Sequence, residues 1–254
     1  MSITLQEYEK LFPAAKVMRN GRKLTYMTPN SGCLWRVQSL LTKEPSTIEW
    51  LDSFPMGSKM LDVGANVGMY SIYAAVLRDA AVYAFEPESQ NYATLCRNIV
   101  ANNLSDRVIA WSAALSDVEA FDRLHLSQFQ AGSSCHSFGE SLDPYLKEKK
   151  NPFIQGCYST TVDKLVASGA IPVPNFIKID VDGIEHKIVK GAEKTLQNPE
   201  VASLLIEINP HLAEHRWILD HLATLGFRYD PEQVAKASRT DGYFEGVGEY
   251  VFRR

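Results

Sequence analysis

From residue 60 onward, short apolar runs alternate with segments of helical periodicity. The runs KMLDVG, AVYAFEP and RVIAWSAALS are separated by the helical patterns NVGMYSIYAAVLRD and SQNYATLCRNIVANN. Further along, NFIKID, ASLLIEIN, GFRYD and GEYVFRR have the apolar content of strands, and helices are expected to begin near Gly183 and His211. Strands that alternate with helices predict an α/β fold, with a mostly parallel seven-stranded sheet and helices on both faces.

Two regions do not follow this alternation. Residues 1–56 precede the first strand, and we expect them to form a small N-terminal cap of helices over the ligand edge. Residues 57–254 then form one domain, with an insertion at residues 120–157 that is rich in Ser, Gly and aromatic residues. Parallel strands end at a common edge where ligands bind, so the insertion is the expected acceptor region. A surface insertion without a role is the alternative.

The composition narrows the class of protein. The chain has 254 residues and a net charge of −4, which argues against a nucleic-acid partner. Its N-terminus lacks the apolar region of a signal peptide, and no stretch has the length of a membrane span, so we expect no stable membrane insertion. The four cysteines are far apart, as in free thiols of a reducing compartment. These features predict a cytoplasmic protein.

The segment LDVGANVG, residues 61–68, is a strand, a glycine turn and the start of a helix. Gly64 and Gly68 allow close approach of a ligand, and the helix begins with free N–H groups. Glu86 ends the second strand, where a carboxylate suits the two hydroxyls of a ribose. This pattern is typical of sites for a nicotinamide dinucleotide or for S-adenosylmethionine.

Two features favour S-adenosylmethionine. The dinucleotide fingerprint G-x-G-x-x-G is absent, because Gly64 is followed by Ala65, Asn66 and Val67 before Gly68. An acid, Asp62, precedes the first glycine by two positions. A carboxylate there would repel a pyrophosphate but attract a cationic sulfonium ligand that carries an ammonium group.

The chain resembles the FkbM-type S-adenosylmethionine-dependent methyltransferases. The resemblance covers roughly residues 57–210 and depends on the ordered motifs LDVGANVGMYSIYAA, VYAFEPESQNYATLCRNIVANN, AALSD, TTVDKL and FIKIDVDGIEHKIVKGAEKTL. It implies a Rossmann-like class I methyltransferase fold and O-methylation of a hydroxyl on a sugar, glycolipid or polyketide-like acceptor. Asp182 departs conservatively from the Glu of many members.

The same resemblance implies which residues bind the cofactor. The methionine portion and the ribose edge would lie on Asp62, Gly64, Asn66 and Gly68, and the ribose hydroxyls on Glu86. The segment Trp111, Ser112, Ala113 would flank adenine, although Trp111 is equally compatible with a core position.

Three polar residues at the ends of later strands are candidates for catalysis. Asp180 ends the fourth strand and is expected to face the methionine end of the cofactor or the acceptor. Glu207 interrupts the next apolar strand, and His211 follows it. An alcohol must lose its proton when it is methylated, so a carboxylate or imidazole can act as general base. For Glu207, structural pairing with an arginine or an amide is the alternative.

The helix after Asp180 leaves further alternatives. Helical spacing places Ile184, Ile188 and Leu196 on a buried stripe and His186 in solvent. Glu185 fits either a capping box with Asp182 as N-cap or a role at the acceptor. Carboxylates in this segment also make Mg²⁺ possible, but one short segment rarely encloses such an ion, so we do not favour a metal.

The leading hypothesis is therefore an O-methyltransferase for a small-molecule or glycan acceptor. A nicotinamide-dependent oxidoreductase and a non-catalytic binding module on the same fold are the alternatives.

Overall fold

The computed structural model describes residues 3–8 and 11–254. The strands, in chain order, are β1 (Ala14–Arg19), β2 (Arg22–Met27), β3 (Lys59–Val63), β4 (Ala81–Phe85), β5 (Val108–Trp111), β6 (Ala114–Leu115), β7 (Ala120–Leu126), β8 (Ser137–Phe138), β9 (Phe153–Thr160), β10 (Phe176–Ile179), β11 (Ser203–Ile208), β12 (Arg228–Tyr229) and β13 (Gly248–Arg253). The helices are α1 (Leu5–Tyr8), α2 (Ser31–Ser39), α3 (Pro45–Asp52), α4 (Met69–Arg78), α5 (Ser89–Ala101), α6 (Val162–Ala167), α7 (Glu185–Lys190), α8 (Glu193–Gln197), α9 (Ala213–Thr224) and α10 (Pro231–Ala237).

Within those residues, a seven-stranded sheet has the order β5-β4-β3-β10-β11-β13-β12, and β13 runs antiparallel to both of its neighbours. Counted along the chain, the seven strands lie in the order 3-2-1-4-5-7-6. The order reverses between β3 and β10, which pair in parallel. Ligands of open α/β sheets bind outside the carboxyl ends of the strands at such a switch point. The predicted Rossmann-like class I fold is confirmed.

The sheet separates two apolar layers. One face packs against α3, α4 and α5, with Trp50, Ile72 and Leu95 among the buried side chains. The other face packs against α6 to α9, where Ile188 and Leu222 are fully buried. Every residue of β10 is buried, as expected for a central parallel strand that is covered on both sides.

The N-terminal segment contains helices α1, α2 and α3, but between α1 and α2 it also forms the β1–β2 hairpin, which the expected cap of helices did not include. Strand β2 lies against α5, where Asn98 and Asn102 accept the amides of Met27 and Thr25 at 2.6 and 2.9 Å. These asparagines bind backbone N–H groups at the outer edge of the hairpin, which would otherwise lack hydrogen-bond partners. Strand periodicity does not show such a tertiary contact. Helix α2, in contrast, reaches the ligand edge.

The insertion, together with the preceding strand β6, folds as a second sheet with the order β6-β9-β7-β8. In the described part of the chain, no helix is long and apolar enough to cross a membrane. All four cysteines are free, in agreement with their spacing.

Candidate active site

The turn after β3 is shaped by two glycines. Gly64 has φ +78°, and a Cβ at this position would lie 2.0 Å from the carbonyl oxygen of Asp180. Only glycine therefore allows the turn to approach the end of β10. Gly68 has φ +81°, and a Cβ there would lie 2.3 Å from Leu95 Cδ1. It makes room for α5 rather than for a ligand.

The carboxylate of Glu86 is fixed by backbone amides. One oxygen accepts the N–H of Asn66 at 2.7 Å, and the other accepts the N–H of Glu88 at 2.8 Å. Burial raises the pKa of the Glu86 carboxyl to about 7, although these two amides oppose the shift. Each oxygen has a further lone pair for a hydroxyl donor. The group is thus oriented for a ligand that supplies two such donors.

A loop of the insertion, residues 131–135, forms a roof over this turn. The carbonyl of Ser133 accepts the side-chain amides of Asn66 at 2.7 Å and Asn91 at 3.1 Å. The carbonyl of Gly132 accepts Nε of Arg36 from α2 at 2.8 Å. The N-terminal segment and the insertion therefore meet above the carboxyl ends of β3 and β4.

Beneath the roof lies a cleft, the inner cleft, at the carboxyl ends of β3, β4 and β10. Its polar wall includes Glu86 and Asn91. Its apolar wall is suited to a flat ring and consists of Val63, Phe85, Pro87, Ala113, Ala114, Leu115, Leu124, Phe138, Val181 and Ile184.

Two further clefts open from the same point. The side cleft, about 450 Å³, extends between Tyr70 and Lys43 toward α2. The outer cleft, about 830 Å³, is lined by Trp35, Arg36, Lys43, Glu44, Gly64, Asn66, Ser134, Cys135, Asp180, Asp182, Glu207, Arg239 and Phe244. The three clefts have Gly64, Asn66 and Asp180 in common. A ligand that bridges two of them must pass this junction.

A buried lysine fixes the charge at the junction. Lys178 is 2% exposed, and its ammonium lies 2.8 Å from Oδ2 of Asp180. Burial disfavours the charged ammonium, but Asp180, Asp62 and Glu44 outweigh this and raise the pKa of Lys178. Burial alone would raise the pKa of Asp180, yet Lys178 lowers it to about 2. Asp180 is therefore a stable anion with little capacity to accept a proton at neutral pH.

Glu207 pairs with an arginine, which was one of its two predicted interpretations. Arg239 Nη2 lies 2.7 Å from Oε1 of Glu207 and 3.8 Å from Oε1 of Glu249. Burial raises the pKa of Glu207 well above its usual value, with a further contribution from Asp180. Because Glu207 also lines the outer cleft, the pairing does not remove it from the site.

The turn between β10 and α7 differs from the predicted capping box. Helix α7 begins at Glu185, and Ile184 rather than Asp182 is at the N-cap position. The carboxylate of Glu185 accepts the amides of Val181 at 3.0 Å and Gly183 at 2.9 Å. Asp182 points away from the helix and accepts the amide of Cys135 at 2.7 Å. The capping box is wrong because Asp182, at φ +62°, turns toward the insertion.

The expectation that His186 faces solvent is also wrong, since it is 7% exposed. Helix α7 packs against α9, whose His215 ring lies 6.5 Å from that of His186. His215 Nδ1 accepts the amide of Asn209 at 2.9 Å, so the proton is on Nε2, 3.0 Å from both the Gly183 carbonyl and the Glu185 carboxylate. The neighbouring helix α9 thus covers the face of α7 that periodicity assigns to water.

The predicted site residues separate into two groups. Gly64, Asn66, Glu86, Ala113 and Asp180 line the inner cleft, and Glu207 lines the outer cleft. The others lie elsewhere: Asp62 is buried behind the turn on Ser71, Gly68 packs on Leu95, and Ser112 and His211 are exposed and line none of the three clefts.

Trp111 is neither in the core nor on the inner cleft. It is 38% exposed, and its ring stacks at 6.1 Å on Phe85, which does line the cleft. The cleft residues that the sequence does not predict include Trp35, Arg36, Lys178 and Arg239. Of these, only Lys178 had a signal, a charge within the apolar run FIKI.

The carboxylates near β10 do not form a recognisable metal site. Among the described residues, no three or more His, Cys, Asp or Glu side chains are grouped to hold an ion. The carboxylates of Asp180, Asp182 and Glu185 are directed to Lys178, Cys135 and the α7 turn, respectively. The expectation about Mg²⁺ stays a prediction.

Comparison with known proteins identifies the family. The family model for the methyltransferase FkbM domain matches residues 62–229, about two thirds of the chain. The chain belongs to the FkbM methyltransferase family. The resemblance predicted from the ordered motifs is thereby confirmed.

Two curated methyltransferases are similar to the chain at low sequence identity. The chain is 27% identical over 176 residues to hexuronic acid methyltransferase AglP of Haloferax volcanii. The aligned region covers 69% of this chain and 66% of that protein. It is 27% identical over 152 residues to methyltransferase 1 of Beauveria bassiana, covering 55% and 60%. The matches thus span 66% and 60% of the length of these two relatives.

Among solved structures, precorrin-6y C5,15-methyltransferase of Geobacter metallireducens GS-15 aligns with a TM-score of 0.47 at 11% identity. The alignment covers 83% of this chain and 86% of that one. The strand order of the main sheet, rather than this overlap, carries the assignment of the fold.

Proposed function

We propose that this protein is an S-adenosylmethionine-dependent O-methyltransferase that methylates a hydroxyl of a sugar-like acceptor. One observation carries the proposal: the inner cleft, with Glu86 oriented for two hydroxyl donors, opens into the outer cleft at Gly64, Asn66 and Asp180. A cofactor in the first cleft and an acceptor in the second would meet at this junction. Membership of the FkbM family supports methyl transfer over hydride transfer.

The residues fit S-adenosylmethionine. Glu86 would hold the ribose, and the apolar wall with Phe85 and Ala113 would hold adenine. Arg36 lies between the side and outer clefts, and its guanidinium has no carboxylate partner within the described ranges. It is available to the carboxylate of the methionine portion. When bound, the cofactor supplies a methyl group on a positively charged sulfur, and the anion Asp180 at the junction favours that charge.

The outer cleft supports a sugar as acceptor. Trp35 and Phe244 provide aromatic surfaces, and both the Glu207–Arg239 and Lys43–Glu44 pairs provide hydrogen-bond acceptors and donors. This mixture suits a ring with apolar C–H faces and polar hydroxyl edges. The relative AglP is a hexuronic acid methyltransferase, which supports the same substrate class.

Calorimetric titration with S-adenosylhomocysteine tests the cofactor, and methyl transfer to a panel of hexoses and hexuronic acids tests the acceptor. We expect wild type to bind the cofactor product and Glu86→Ala to lose binding, with Glu200→Ala as the surface control. Tight binding of NADH without any of S-adenosylhomocysteine would favour an oxidoreductase. Cofactor binding without transfer to any hydroxyl in the panel would favour a non-catalytic module.

A further inference from the structure

The carboxylates at the junction of the two clefts differ in what they contact. Among the described carboxylates, only Asp180 and Asp182 line both the inner and the outer cleft. Glu86 lines the inner cleft, whereas Glu44 and Glu207 line the outer cleft without reaching the inner one. A base for methyl transfer must contact the acceptor oxygen beside the methyl donor, so the choice is between Asp180 and Asp182.

The neighbours of these two side chains decide between them. Asp180 is ion-paired with the buried ammonium of Lys178 at 2.8 Å, which stabilises its charge and weakens it as a base. Asp182 has no ion-pair partner among residues 3–8 and 11–254. It accepts the amide of Cys135 at 2.7 Å, and the Cys135 thiol lies 3.7 Å from its other oxygen. Lone pairs of Asp182 stay available to a substrate.

The backbone holds Asp182 in position. Its φ of +62° lies in the left-handed region, which costs a non-glycine residue on the order of 1 kcal/mol. The adjacent turn is fixed by the Glu185 carboxylate, which binds the amides of Val181 and Gly183, and by His215, whose Nε2 lies 3.0 Å from the Gly183 carbonyl. The unusual conformation is thus supported on both sides, and it directs the carboxylate to the junction.

From this placement we propose that Asp182, rather than Asp180, is the general base that takes the proton of the acceptor hydroxyl. The inference rests on the proposed function. As the hydroxyl oxygen forms its bond to the methyl carbon, the carbon–sulfur bond breaks and its electron pair returns to the sulfonium sulfur. The hydroxyl proton passes to the Asp182 carboxylate and is later released to water. Charge and atoms balance without any other reactant.

The electrostatic surroundings agree with this role. Burial raises the pKa of Asp182 to about 6, with the charge of Asp180 as the next cause. The charged and titratable groups around it are Asp180 and Glu185 on its own segment, Cys135 and His136 on the insertion, Glu207 on β11, Arg239 before β13, and Arg36, Lys43 and Glu44 on the N-terminal segment. A base with a pKa just below neutral pH is ionised and still able to accept a proton.

The test compares Asp182→Asn with Glu207→Gln, using methyl β-D-glucopyranoside and methyl β-D-glucuronopyranoside as acceptors. Asparagine still accepts the Cys135 amide and tolerates the left-handed region, so the fold is preserved. We expect kcat of Asp182→Asn to fall by roughly 10²- to 10⁴-fold, while its affinity for S-adenosylhomocysteine changes less than about threefold. The surface control Asp122→Asn should equal wild type.

The pH profile distinguishes a base from a structural residue. With S-adenosylmethionine held at saturation, so that titration of Glu86 does not contribute, kcat/KM for the acceptor in wild type should rise through a pKa of about 6 to a plateau, because the base must be ionised. Asp182→Asn should lose this limb, and Glu207→Gln should keep it. Retention of the limb in Asp182→Asn, or its loss in Glu207→Gln alone, overturns the inference. So does loss of S-adenosylhomocysteine binding in Asp182→Asn.

If wild type methylates neither glycoside, the proposed sugar acceptor is wrong and Asp182 is tested without turnover. Aspartate carboxyl carbons labelled with ¹³C are titrated by NMR in the complex with S-adenosylhomocysteine. A signal that titrates near pH 6 and is missing from Asp182→Asn supports the inference. A titration near the ordinary value of about 4 contradicts it.

Discussion

The inner and outer clefts are built in different ways from the same sheet edge. In the inner cleft, Glu86 is oriented by the backbone amides of Asn66 and Glu88, which lie close to the ends of β3 and β4. In the outer cleft, charges are oriented by side chains from distant parts of the chain, such as Arg239 on Glu207. Both arrangements require the folded chain, since Asn66 is 20 positions from Glu86 and Arg239 is 32 positions from Glu207, but the first uses backbone amides and the second uses a side chain.

This difference indicates which cleft can change its shape when the sequence changes. In the inner cleft, the proposed cofactor site, backbone amides orient Glu86, and this orientation is kept as long as the strand-turn-helix units persist. The outer cleft, the proposed acceptor site, depends on pairs such as Glu207–Arg239 and walls such as Trp35, and it changes when single side chains or loops change. The same fold can thus retain one cofactor and accept different acceptors.

The largest expected effect comes from Lys178, the buried cation that pairs with Asp180 at the junction of the inner and outer clefts. Lys178→Met leaves Asp180, Asp62 and Glu44 without their buried counter-charge. We expect the free energy of unfolding to fall by about 3–5 kcal/mol, measured by urea denaturation. The matched control is Lys59→Met, because Lys59 pairs with Glu200 at the surface at 2.8 Å and should contribute less than about 1 kcal/mol. If Lys178→Met lowers the free energy of unfolding no more than Lys59→Met does, the buried network does not stabilise the fold more than a surface ion pair.

The second prediction separates the clefts. Glu86→Ala removes the acceptor for two ribose hydroxyls, and loss of two hydrogen bonds to a charged group should weaken S-adenosylhomocysteine binding by roughly 100-fold or more. Glu207→Gln, in the outer cleft, should leave that affinity within about threefold of wild type. Calorimetry measures both, and a larger effect of Glu207→Gln would reverse our assignment of the clefts.

The third prediction concerns the pH dependence of cofactor affinity. The pKa of Glu86 is raised to about 7 in the free protein, and hydroxyl donors favour its ionised form, so binding should release a proton below pH 7. Affinity for S-adenosylhomocysteine should fall roughly tenfold for each pH unit below 7. Glu86→Gln should bind weakly without this dependence. An affinity of wild type that is constant from pH 5.5 to 8 contradicts the role of this carboxylate.

In the free protein the same raised pKa has a consequence of opposite sign for stability. The contribution of Glu86 to the free energy of unfolding is fully present below its unfolded pKa of about 4.5 and is lost as pH rises through about 7. Bound cofactor should reduce this loss, because it favours the ionised carboxylate. Thermal unfolding with and without S-adenosylhomocysteine across this range measures the difference.

The smallest expected effect tests whether Trp35 contacts the acceptor in the outer cleft. Trp35 is 52% exposed and lines the outer cleft. Trp35→Ala should raise KM for a glycoside acceptor about 5- to 10-fold, because contact area with the sugar ring is lost, and leave S-adenosylhomocysteine affinity unchanged. Trp217→Ala, on α9 and outside the three clefts, is the aromatic control. If Trp35→Ala changes the affinity for S-adenosylhomocysteine but not KM for the glycoside, Trp35 contacts the cofactor rather than the acceptor.

The success of the sequence analysis follows the same division. All seven strands of the main sheet were predicted, because each is a short apolar run bounded by turn residues. Gly64, Asn66 and Glu86 belong to motifs whose function depends on neighbours in sequence, and the structure places them together on the inner cleft. The β1–β2 hairpin was missed, because it depends on contacts with Asn98 and Asn102 of α5.

The errors have physical causes of the same kind. His186 was assigned to solvent by helical periodicity, but α9 covers that side of α7. A capping box with Asp182 as N-cap was one of two interpretations, but the backbone of Asp182 turns toward Cys135. In both cases a tertiary contact overrides a pattern that is valid for an isolated helix. Arg36 and Arg239 carry no local signal at all, since their positions in the outer cleft depend on how distant loops pack.

A crystal structure of the complex with S-adenosylhomocysteine tests the central claim most directly. We predict that the ribose hydroxyls bind the Glu86 carboxylate, that adenine lies against the apolar wall with Phe85 and Ala113, and that the sulfur faces the junction beside Asp180 and Asp182. A ligand whose ribose lies in the outer cleft, or whose sulfur faces away from the junction, would contradict the claim.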